Sequence, residues 1–213
     1  MSGAENGAVP VGTIWHIQLS VAPRPVEPRL PVVFSQVGPE AEAELTRAMS
    51  QPDPAEVRRR FAGGRRCYAA RAQGTLAAYG WVSFGDETVG ELGLRLRLLP
   101  DEAYIWDCAT LPEFQRQGLY AALLGRMLGE LQAMGVQAVW IGADYANQPS
   151  QAGIAHAGFT AIADLVAAPP APGERRRRGW LSARPGIDGA QMAEARRAYM
   201  GDCDEVWLFE AGH

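Results

Sequence analysis

The chain has no lysine, because all 20 of its Lys and Arg residues are arginine. This absence excludes a lysine Schiff base, a lysine general base and the lysine of a Walker phosphate-binding loop. An anionic ligand would have to be held by guanidinium groups, backbone N–H groups or hydroxyls. The same absence is typical of coding bias in a GC-rich genome, so it restricts the chemistry without indicating a function.

Cysteine is also scarce. Cys67, Cys108 and Cys203 are too few and too scattered for a disulfide framework, and none has the spacing of a metal site. No apolar run approaches the roughly 20 residues that span a bilayer, and the first residues lack the pattern of a signal peptide. The net charge of −4 gives no reason to expect nucleic acid or an anionic membrane as a partner. We therefore expect a cytoplasmic protein without a metal.

The patterning predicts an N-terminal extension over 1–31, a main domain over 32–166 and a C-terminal segment, 167–213, that packs on the same domain. Residues 1–12 are predicted to be a loose tail, followed by a short strand at 14–21. Helical spacing predicts helices at 39–49, 54–62, 118–134, 149–157 and 187–199. Alternation and apolar runs predict strands at 32–37, 66–71, 75–84, 91–98, 102–110, 137–143, 159–166, 176–182 and 205–209. This order favours an α/β architecture in which helices cover a mixed, mostly antiparallel sheet.

One stretch carries most of the chemical information. Residues 102–125 read EAYIWDCATLPEFQRQGLYAALLG, which predicts a strand, a tight loop and a helix. The first turn of that helix leaves N–H groups without intrahelical partners, and the helix dipole adds positive potential there. Gly118 lets a ligand approach the backbone, and Arg116 adds a full charge. The loop is therefore suited to an anion such as a pyrophosphate.

Two elements of the sequence resemble the GNAT acyltransferase superfamily. The first is the acyl-CoA motif Q/R-x-x-G-x-G/A, with Gln115 and Gly118 at its first and fourth positions. Tyr120 departs from it, because the sixth position is usually Gly or Ala. The second is the family's Asn-x-x-Ala/Ser segment, matched by Asn147 and Ser150, with a helix that ends in Ala-Gly-Phe at 157–159. Together the two elements cover about residues 102–166.

The resemblance implies a GNAT fold whose sheet is splayed at an acyl-CoA cleft between the strands at 102–110 and 137–143. It implies that acetyl-CoA is the co-substrate and that the acyl group passes directly to an amine. The residues it implies for acetyl-CoA are the strand end Cys108, Ala109, Thr110 and Leu111, the loop Gln115, Arg116, Gln117, Gly118, Leu119 and Tyr120, and the pair Asn147 and Ser150.

The general acid is the weakest part of the resemblance. The family's usual acid is a tyrosine about seven residues after the asparagine, and here that position is Ile154. The leaving thiolate would be protonated by solvent or by another group, for which Tyr145, Ser150 and Cys108 are candidates.

The amine side has a better candidate. Strand alternation would place Asp107 on one face with Ile105 and Ala109, opposite the face of Tyr104 and Cys108. A carboxylate among apolar neighbours is costly unless it is hydrogen-bonded or functional. Asp107 is therefore either a group that orients or deprotonates the amine or a structural carboxylate.

Tyr104 stands where some members of the family carry a glutamate base, although a phenol is a poor base at neutral pH. Glu102 is a further candidate for that role, since it lies two residues earlier in the same predicted strand. Asp107 and Tyr104 are thus the predicted catalytic residues.

Other interpretations stay open at this stage. The protein is an N-acetyltransferase, an acyl-CoA-binding sensor of the same fold, or an unrelated α/β nucleotide-binding protein. The last is disfavoured by the absence of G-x-G-x-x-G and Walker motifs. The four arginines at 175–178 are either a solvated surface or a contact for the 3′-phosphate of CoA or an acidic partner. The acceptor is a small-molecule or peptide amine, and the chain is a monomer or a homodimer.

Overall fold

The computed structural model describes residues 7–20, 25–50, 52–89, 94–170, 174, 176–201 and 203–209. The strands in these ranges are β1 (Val9–Gln18), β2 (Val33–Val37), β3 (Arg66–Ala72), β4 (Thr75–Ser83), β5 (Glu87–Val89), β6 (Leu94–Leu96), β7 (Glu102–Thr110), β8 (Ala138–Asp144), β9 (Thr160–Ala167), β10 (Arg176–Ala183) and β11 (Val206–Phe209). The α-helices are α1 (Glu42–Ala48), α2 (Pro54–Ala62), α3 (Leu119–Ala133), α4 (Gln148–His156) and α5 (Gly189–Met200), and 3-10 turns lie at Pro39–Ala41 and Pro112–Phe114.

Nine strands form one sheet in the order β11-β10-β9-β1-β8-β7-β4-β3-β2, and β5 and β6 form a separate hairpin. Neighbouring strands of the large sheet pair antiparallel except β7 and β8, which run parallel. Helices α3 and α4 pack on one face, and α1, α2 and α5 pack on the other. The predicted fold class, a mixed and mostly antiparallel sheet flanked by helices, is confirmed.

Helix α3 is the centre of the first face. Its buried side chains recur at helical spacing, and a single glycine, Gly118, precedes it in the left-handed conformation with φ +75°. The apolar side chains that it buries completely or almost completely are Leu119, Leu123, Leu124, Met127, Leu128 and Leu131. Because these side chains pack on β4, β7 and β8, the start of the helix is fixed relative to the end of β7.

The N-terminal strand is the largest departure from expectation. The loose tail predicted for residues 1–12 is wrong for 9–12, because β1 spans Val9–Gln18. This strand lies inside the sheet, where it pairs antiparallel with β8 on one side and β9 on the other. Thr13 on β1 is buried and donates a hydrogen bond of 2.8 Å to Asp164 on β9. The segment that the sequence assigns to an extension therefore joins the two halves of the sheet.

The other predicted elements lie close to their predicted bounds, whereas the short strand β5 was not predicted. The predicted helix at 54–62 and the predicted strand at 102–110 match α2 and β7 at both ends. The strand predicted for 91–98 is confirmed only as β6, and it pairs in the small hairpin instead of the sheet. Residues 91–93 lie outside the described residues.

Truncation tests the role of β1. A chain that lacks residues 1–18 loses both ladders at the middle of the sheet, so we expect no cooperative thermal unfolding by circular dichroism. A matched chain that lacks residues 1–7 keeps all of β1 and should unfold at the temperature of the full chain. Cooperative folding of the shorter chain would contradict the structural role given to β1.

His16 on β1 makes stability depend on pH. The ring is 6% exposed and stacks on Trp140 with 4.1 Å between ring centroids. Burial lowers the pKa of His16 from 6.5 to about 4; the Glu102 carboxylate opposes this shift and Arg197 adds to it. The unfolded chain thus binds a proton that the folded chain does not bind until the pH is much lower.

The free energy of unfolding should therefore fall as the pH decreases from 6.5 to about 4. His16 contributes at most about 3 kcal/mol to the free energy of unfolding. This contribution is full above pH 6.5 and is lost as the pH falls to about 4. We expect His16→Phe to flatten the slope between about pH 7 and pH 5, before most carboxylates titrate. The measurement is urea unfolding at several pH values, and equal slopes in the two proteins would contradict the assignment.

Candidate active site

The two parallel strands at the middle of the sheet part at a defined point. β7 and β8 pair from Glu102 and Ala138 to Ile105 and Ile141, and their ladder ends there. Both strands continue, β7 against β4 as far as Thr110 and β8 against β1 as far as Asp144. The facing edges of the two strands are therefore left without each other's backbone hydrogen bonds, and a V-shaped opening results.

A bulge lies in β7 immediately after the strands part. Tyr79 pairs with Ala109 and Trp81 with Trp106, so two residues, Asp107 and Cys108, lie opposite Gly80 alone. Asp107 has φ +42°, an unusual conformation for a residue with a side chain.

The bulge changes which side chains share a face. Cys108 packs with Ile105 on the α3 face, while Trp106 and Ala109 pack on the opposite face. Asp107 contacts Arg60, which stacks on Trp106, so the carboxylate lies on the Trp106 side. The simple alternation predicted for this strand is therefore wrong from residue 107 onward.

Arg60 on α2 binds the Asp107 carboxylate directly through its Nη1 atom. The guanidinium also donates from Nε to Glu56 over 2.9 Å, and its central carbon lies 4.4 Å from the ring centroid of Trp106. The Arg60 side chain is 10% exposed, whereas that of Asp107 is 30% exposed. Glu56 is also paired with Arg59 at 2.8 Å, so Asp107 is the carboxylate of this group that is bound by a single guanidinium, and it lies in β7 beside the opening.

Tyr79 adds a neutral donor to this group, since its hydroxyl donates to Asp107 Oδ1 over 3.5 Å. Burial, and secondarily the Asp107 charge, raises the pKa of Tyr79, so the phenol keeps its proton. The side chain of Asp107 is thus held by two donors, which fits the structural interpretation of this carboxylate and leaves its exposed part available to a ligand.

A second series of hydrogen bonds fixes the orientation of the Trp106 ring, which lies beside Asp107. The Trp106 indole N–H donates to Ser83 Oγ over 2.8 Å, and the Ser83 hydroxyl donates to Glu87. Arg65 binds both oxygens of Glu87 at 2.8 Å. These bonds fix the Trp106 ring, against which Arg60 stacks.

Tyr104 and Glu102 lie on β7 before the strands part. Tyr104 is 6% exposed, and a β-carbon placed on Gly142 would lie 3.7 Å from its hydroxyl, so the phenol reaches across to β8 near the apex of the opening. Glu102 is bound by Arg197 and by the N–H of Leu99, at the opposite end of β7. The expectation that Glu102 reaches the amine site is therefore wrong.

The loop after β7 leads directly to the start of α3. Arg116 and Gly118 both have positive φ, +60° and +75°, so the chain turns sharply into the first turn of α3, whose amides have no intrahelical partners. Arg116 is exposed and forms no ion pair with any other described residue. The backbone of Arg29 donates to the Gln117 carbonyl over 2.8 Å, which holds the loop against the segment that precedes β2.

Helix α4 borders the other side of the opening. Asn147 is its N-cap, with its side-chain oxygen accepting from the Ser150 N–H over 3.1 Å. The Ser150 hydroxyl lies 3.1 Å from the hydroxyl of Tyr120 on α3. Ile154 has no exposed surface and packs in the core under α3, so no ionisable group stands at that position.

Cys108 is a poor nucleophile in this setting. Burial, and after it the Asp107 charge, raises the pKa of its thiol, which favours the inert protonated form. Its sulfur fills the space above Gly80, where an added β-carbon would lie 2.6 Å from it.

The arginine run is remote from the opening. β10 holds Arg176–Arg178, and β9 and β1 separate it from β8. Arg178 pairs with Glu205 at 3.4 Å on the surface, and Arg175 lies outside the described residues. This placement disfavours a contact between the run and CoA.

Sequence reasoning missed Arg60 and the hydroxyl of Tyr120. Arg60 is one of three consecutive arginines, and only its i−4 spacing from Glu56 marks it as distinct. Its contact with Asp107 joins residues 47 apart in the chain. No described group of three or more His, Cys, Asp or Glu side chains could hold a metal ion, and no described helix has the length and apolar character of a membrane span.

The comparisons with known proteins agree with this architecture. The family model described as Acetyltransferase (GNAT) family matches residues 36–159. No curated protein matches the chain. A GNAT-family acetyltransferase from Colwellia psychrerythraea superposes with a TM-score of 0.56 at 14% identity, covering 75% of this chain and 55% of that one. A GCN5-related N-acetyltransferase from Sphaerobacter thermophilus gives a TM-score of 0.52 at 16% identity, covering 74% of this chain and 50% of that one.

This chain therefore spans only about half of each of those two proteins, and at such identities they show the fold alone. The family model covers more than half of the chain, and it includes the opening between β7 and β8 and the loop before α3. The chain belongs to the GNAT acetyltransferase family.

Proposed function

We propose that this protein transfers an acetyl group from acetyl-CoA to an amine. The observation that carries the proposal is the opening between β7 and β8, which leads along the free edge of β7 to the amides at the start of α3. A V of this shape suits an extended chain with amide groups, and a helix N-terminus with an unpaired arginine suits a diphosphate.

The described residues fit acetyl-CoA. Backbone groups of Cys108, Ala109, Thr110 and Leu111 would hold the pantetheine amides, and Gln115, Arg116 and the backbone amides of Gln117, Gly118, Leu119 and Tyr120 would surround the pyrophosphate. Asn147 and Ser150 would border the thioester end. When bound, acetyl-CoA supplies the activated acyl group. The protein itself would position the amine, exclude water and stabilise charge.

On the amine side we assign the binding of an ammonium to Asp107. The Asp107 carboxylate, whose side chain is 30% exposed, would attract a cationic amine, and Trp106 offers an apolar wall beside it. Both oxygens of Asp107 are already engaged, one by Arg60 and the other by Tyr79, which favours a positioning role over proton transfer. We therefore assign to Asp107 the orientation of the amine, whose proton passes to water, and we place Tyr104 at the apex as a neutral hydrogen-bonding group.

A sensor function remains the alternative, and the burial of Ile154 at the position of the usual acid favours it. Binding and turnover separate the two functions. Binding of acetyl-CoA without product from a broad panel of primary amines would favour the sensor.

Gly118 provides the test of the acetyl-CoA site. We expect Gly118→Trp to lose measurable CoA binding by calorimetry, because the side chain would fill the cradle before α3. Gly186→Trp is the matched control, since Gly186 has a similar φ of +83° and an added β-carbon there meets no atom within 4 Å. It should bind CoA like the unmodified protein.

If Gly118→Trp fails to fold, Arg116→Gln tests the same site, because this exposed side chain has no ion pair to lose within the described chain. Its CoA affinity should fall and depend less on salt concentration. Unchanged CoA affinity in both variants would refute the proposed site.

Asp107→Asn tests the amine side. Removal of the charge should lower kcat/KM for the acceptor by about 10- to 100-fold, the value of one hydrogen bond to a charged group. The KM for acetyl-CoA should change little. The measurement is a steady-state assay with the best amine of the panel.

Asp86→Asn is the matched control, because Asp86 pairs with Arg95 on the surface and is part of no site described above. Its kinetics should equal those of the unmodified protein. Equal activity in Asp107→Asn would show that the carboxylate is only structural.

A further inference from the structure

The sulfur of a CoA thioester must leave as a thiolate, and the usual donor for it is missing on α4. Ile154 is fully buried in the cluster under α3. Among the sequence-based candidates, Cys108 packs its sulfur against Gly80, and Tyr145 follows β8 with 36% of its surface exposed. Ser150 remains, and its hydroxyl is bonded to Tyr120.

The side chain of Tyr120, which belongs to α3, reaches Ser150 on α4. It lies in the first turn of α3, two residues after Gly118, and its ring packs directly against Gly153 of α4. A β-carbon on Gly153 would lie 2.3 Å from Cδ1 of the ring, so only a glycine there lets the ring take this position. The hydroxyl then lies 3.1 Å from Ser150 Oγ.

The hydroxyl also lies near the opening. Tyr120 and Cys108 pack against the same apolar cluster under α3. Cys108 belongs to the bulge where β7 has left β8. Ser150 on α4 and Cys108 in β7 thus place the phenol between two of the elements that border the V.

This geometry explains the unusual sixth residue of the glycine motif. A tyrosine there would be costly if its hydroxyl were buried without a partner, but Ser150 supplies one. The position of the Tyr120 side chain therefore depends on two residues of α4. Ser150 binds its hydroxyl, and Gly153 leaves room for its ring.

We propose that the Tyr120 hydroxyl is the hydrogen-bond donor to the sulfur of acetyl-CoA as that sulfur leaves, and that Ser150 positions it. The inference rests on the proposed acetyl transfer. Tyr120 would take the place of the tyrosine that is absent at position 154, from a different helix and a different motif.

The step balances without a further reactant. The amine nitrogen forms a bond to the acyl carbon, the carbon–sulfur bond breaks, and its electron pair stays on sulfur. The Tyr120 O–H donates a hydrogen bond to the developing negative charge. The proton lost by the amine goes to water, and the thiolate takes a proton from water on release.

The surroundings of Tyr120 suit a donor that does not ionise. Burial is the main cause that raises the pKa of its phenol, which therefore stays protonated at neutral pH. A fixed neutral donor in a buried site stabilises a developing anion more than water does, because it needs no reorganisation.

Tyr120→Phe tests the inference by kinetics. We expect kcat to fall by about 10- to 100-fold, the effect of one hydrogen bond to a charged group. Calorimetric affinity for acetyl-CoA should be nearly unchanged, because the ring still packs on Gly153. Tyr199→Phe is the matched control, since its hydroxyl is buried without a partner among the described residues and packs under the opposite face. Its kcat should be unaffected.

A second readout needs no turnover. The ultraviolet absorbance of the thiolate, titrated with pH, gives the pKa of the thiol of bound CoA. A phenol that donates to sulfur stabilises the thiolate, so this pKa should be at least about one unit lower in the unmodified protein than in Tyr120→Phe. If Tyr120→Phe does not fold, Ser150→Ala should shift the thiol pKa in the same direction by a smaller amount.

The outcomes separate the two proposals. Equal kcat and equal thiol pKa in Tyr120→Phe and the unmodified protein would overturn the role of Tyr120 while acetyl transfer stands. A loss of kcat in Tyr145→Phe instead of Tyr120→Phe would also overturn it. A lowered thiol pKa that depends on Tyr120, in a protein that acetylates no amine, would support the contact with sulfur and refute the proposed function.

Discussion

The structure depends on one constraint, which is that β7 and β8 cannot stay paired beyond Ile105 and Ile141. Each strand is held on its outer side, β7 by β4 and β8 by β1, so the sheet stays continuous at one end while it opens at the other. The bulge at Asp107 and Cys108 gives β7 the extra residue and the twist that carry it away from its neighbour. The V and the candidate site follow from this parting.

The bulge also explains why the two sides of the opening differ. It directs Asp107 to the side of α2, where Arg60 and Tyr79 bind its carboxylate. It directs Cys108 to the side of α3, where the sulfur fills the space above Gly80. One irregular residue pair thus divides the candidate site into a charged side and an apolar side, and Tyr120 packs on the apolar side.

The arginine-only composition has a structural counterpart at Arg60. A guanidinium is planar, so it can stack on Trp106 and at the same time bind Glu56 and Asp107 along its edge. The three N–H donors of an ammonium have no flat face to offer an indole in this way. In the proposed acetyl-CoA site the loop before α3 would bind phosphate chiefly through backbone amides, for which the absence of lysine makes no difference.

The sequence by itself determined most of the elements and their order, because hydrophobic period, proline and glycine are local signals; the short strand β5 was not among them. It identified α2, β7 and the loop around Gly118 within a few residues, and through the two motifs it indicated the family. Only the tertiary structure decided the position of β1, since nothing within residues 9–18 says that their partners are β8 and β9. The tertiary structure also decided which face of the sheet each side chain of β7 takes, because the bulge depends on how β7 pairs with β4 at Gly80. The Asp107–Arg60 and Tyr120–Ser150 contacts join residues 47 and 30 apart, and pairing over such distances depends on how the elements pack.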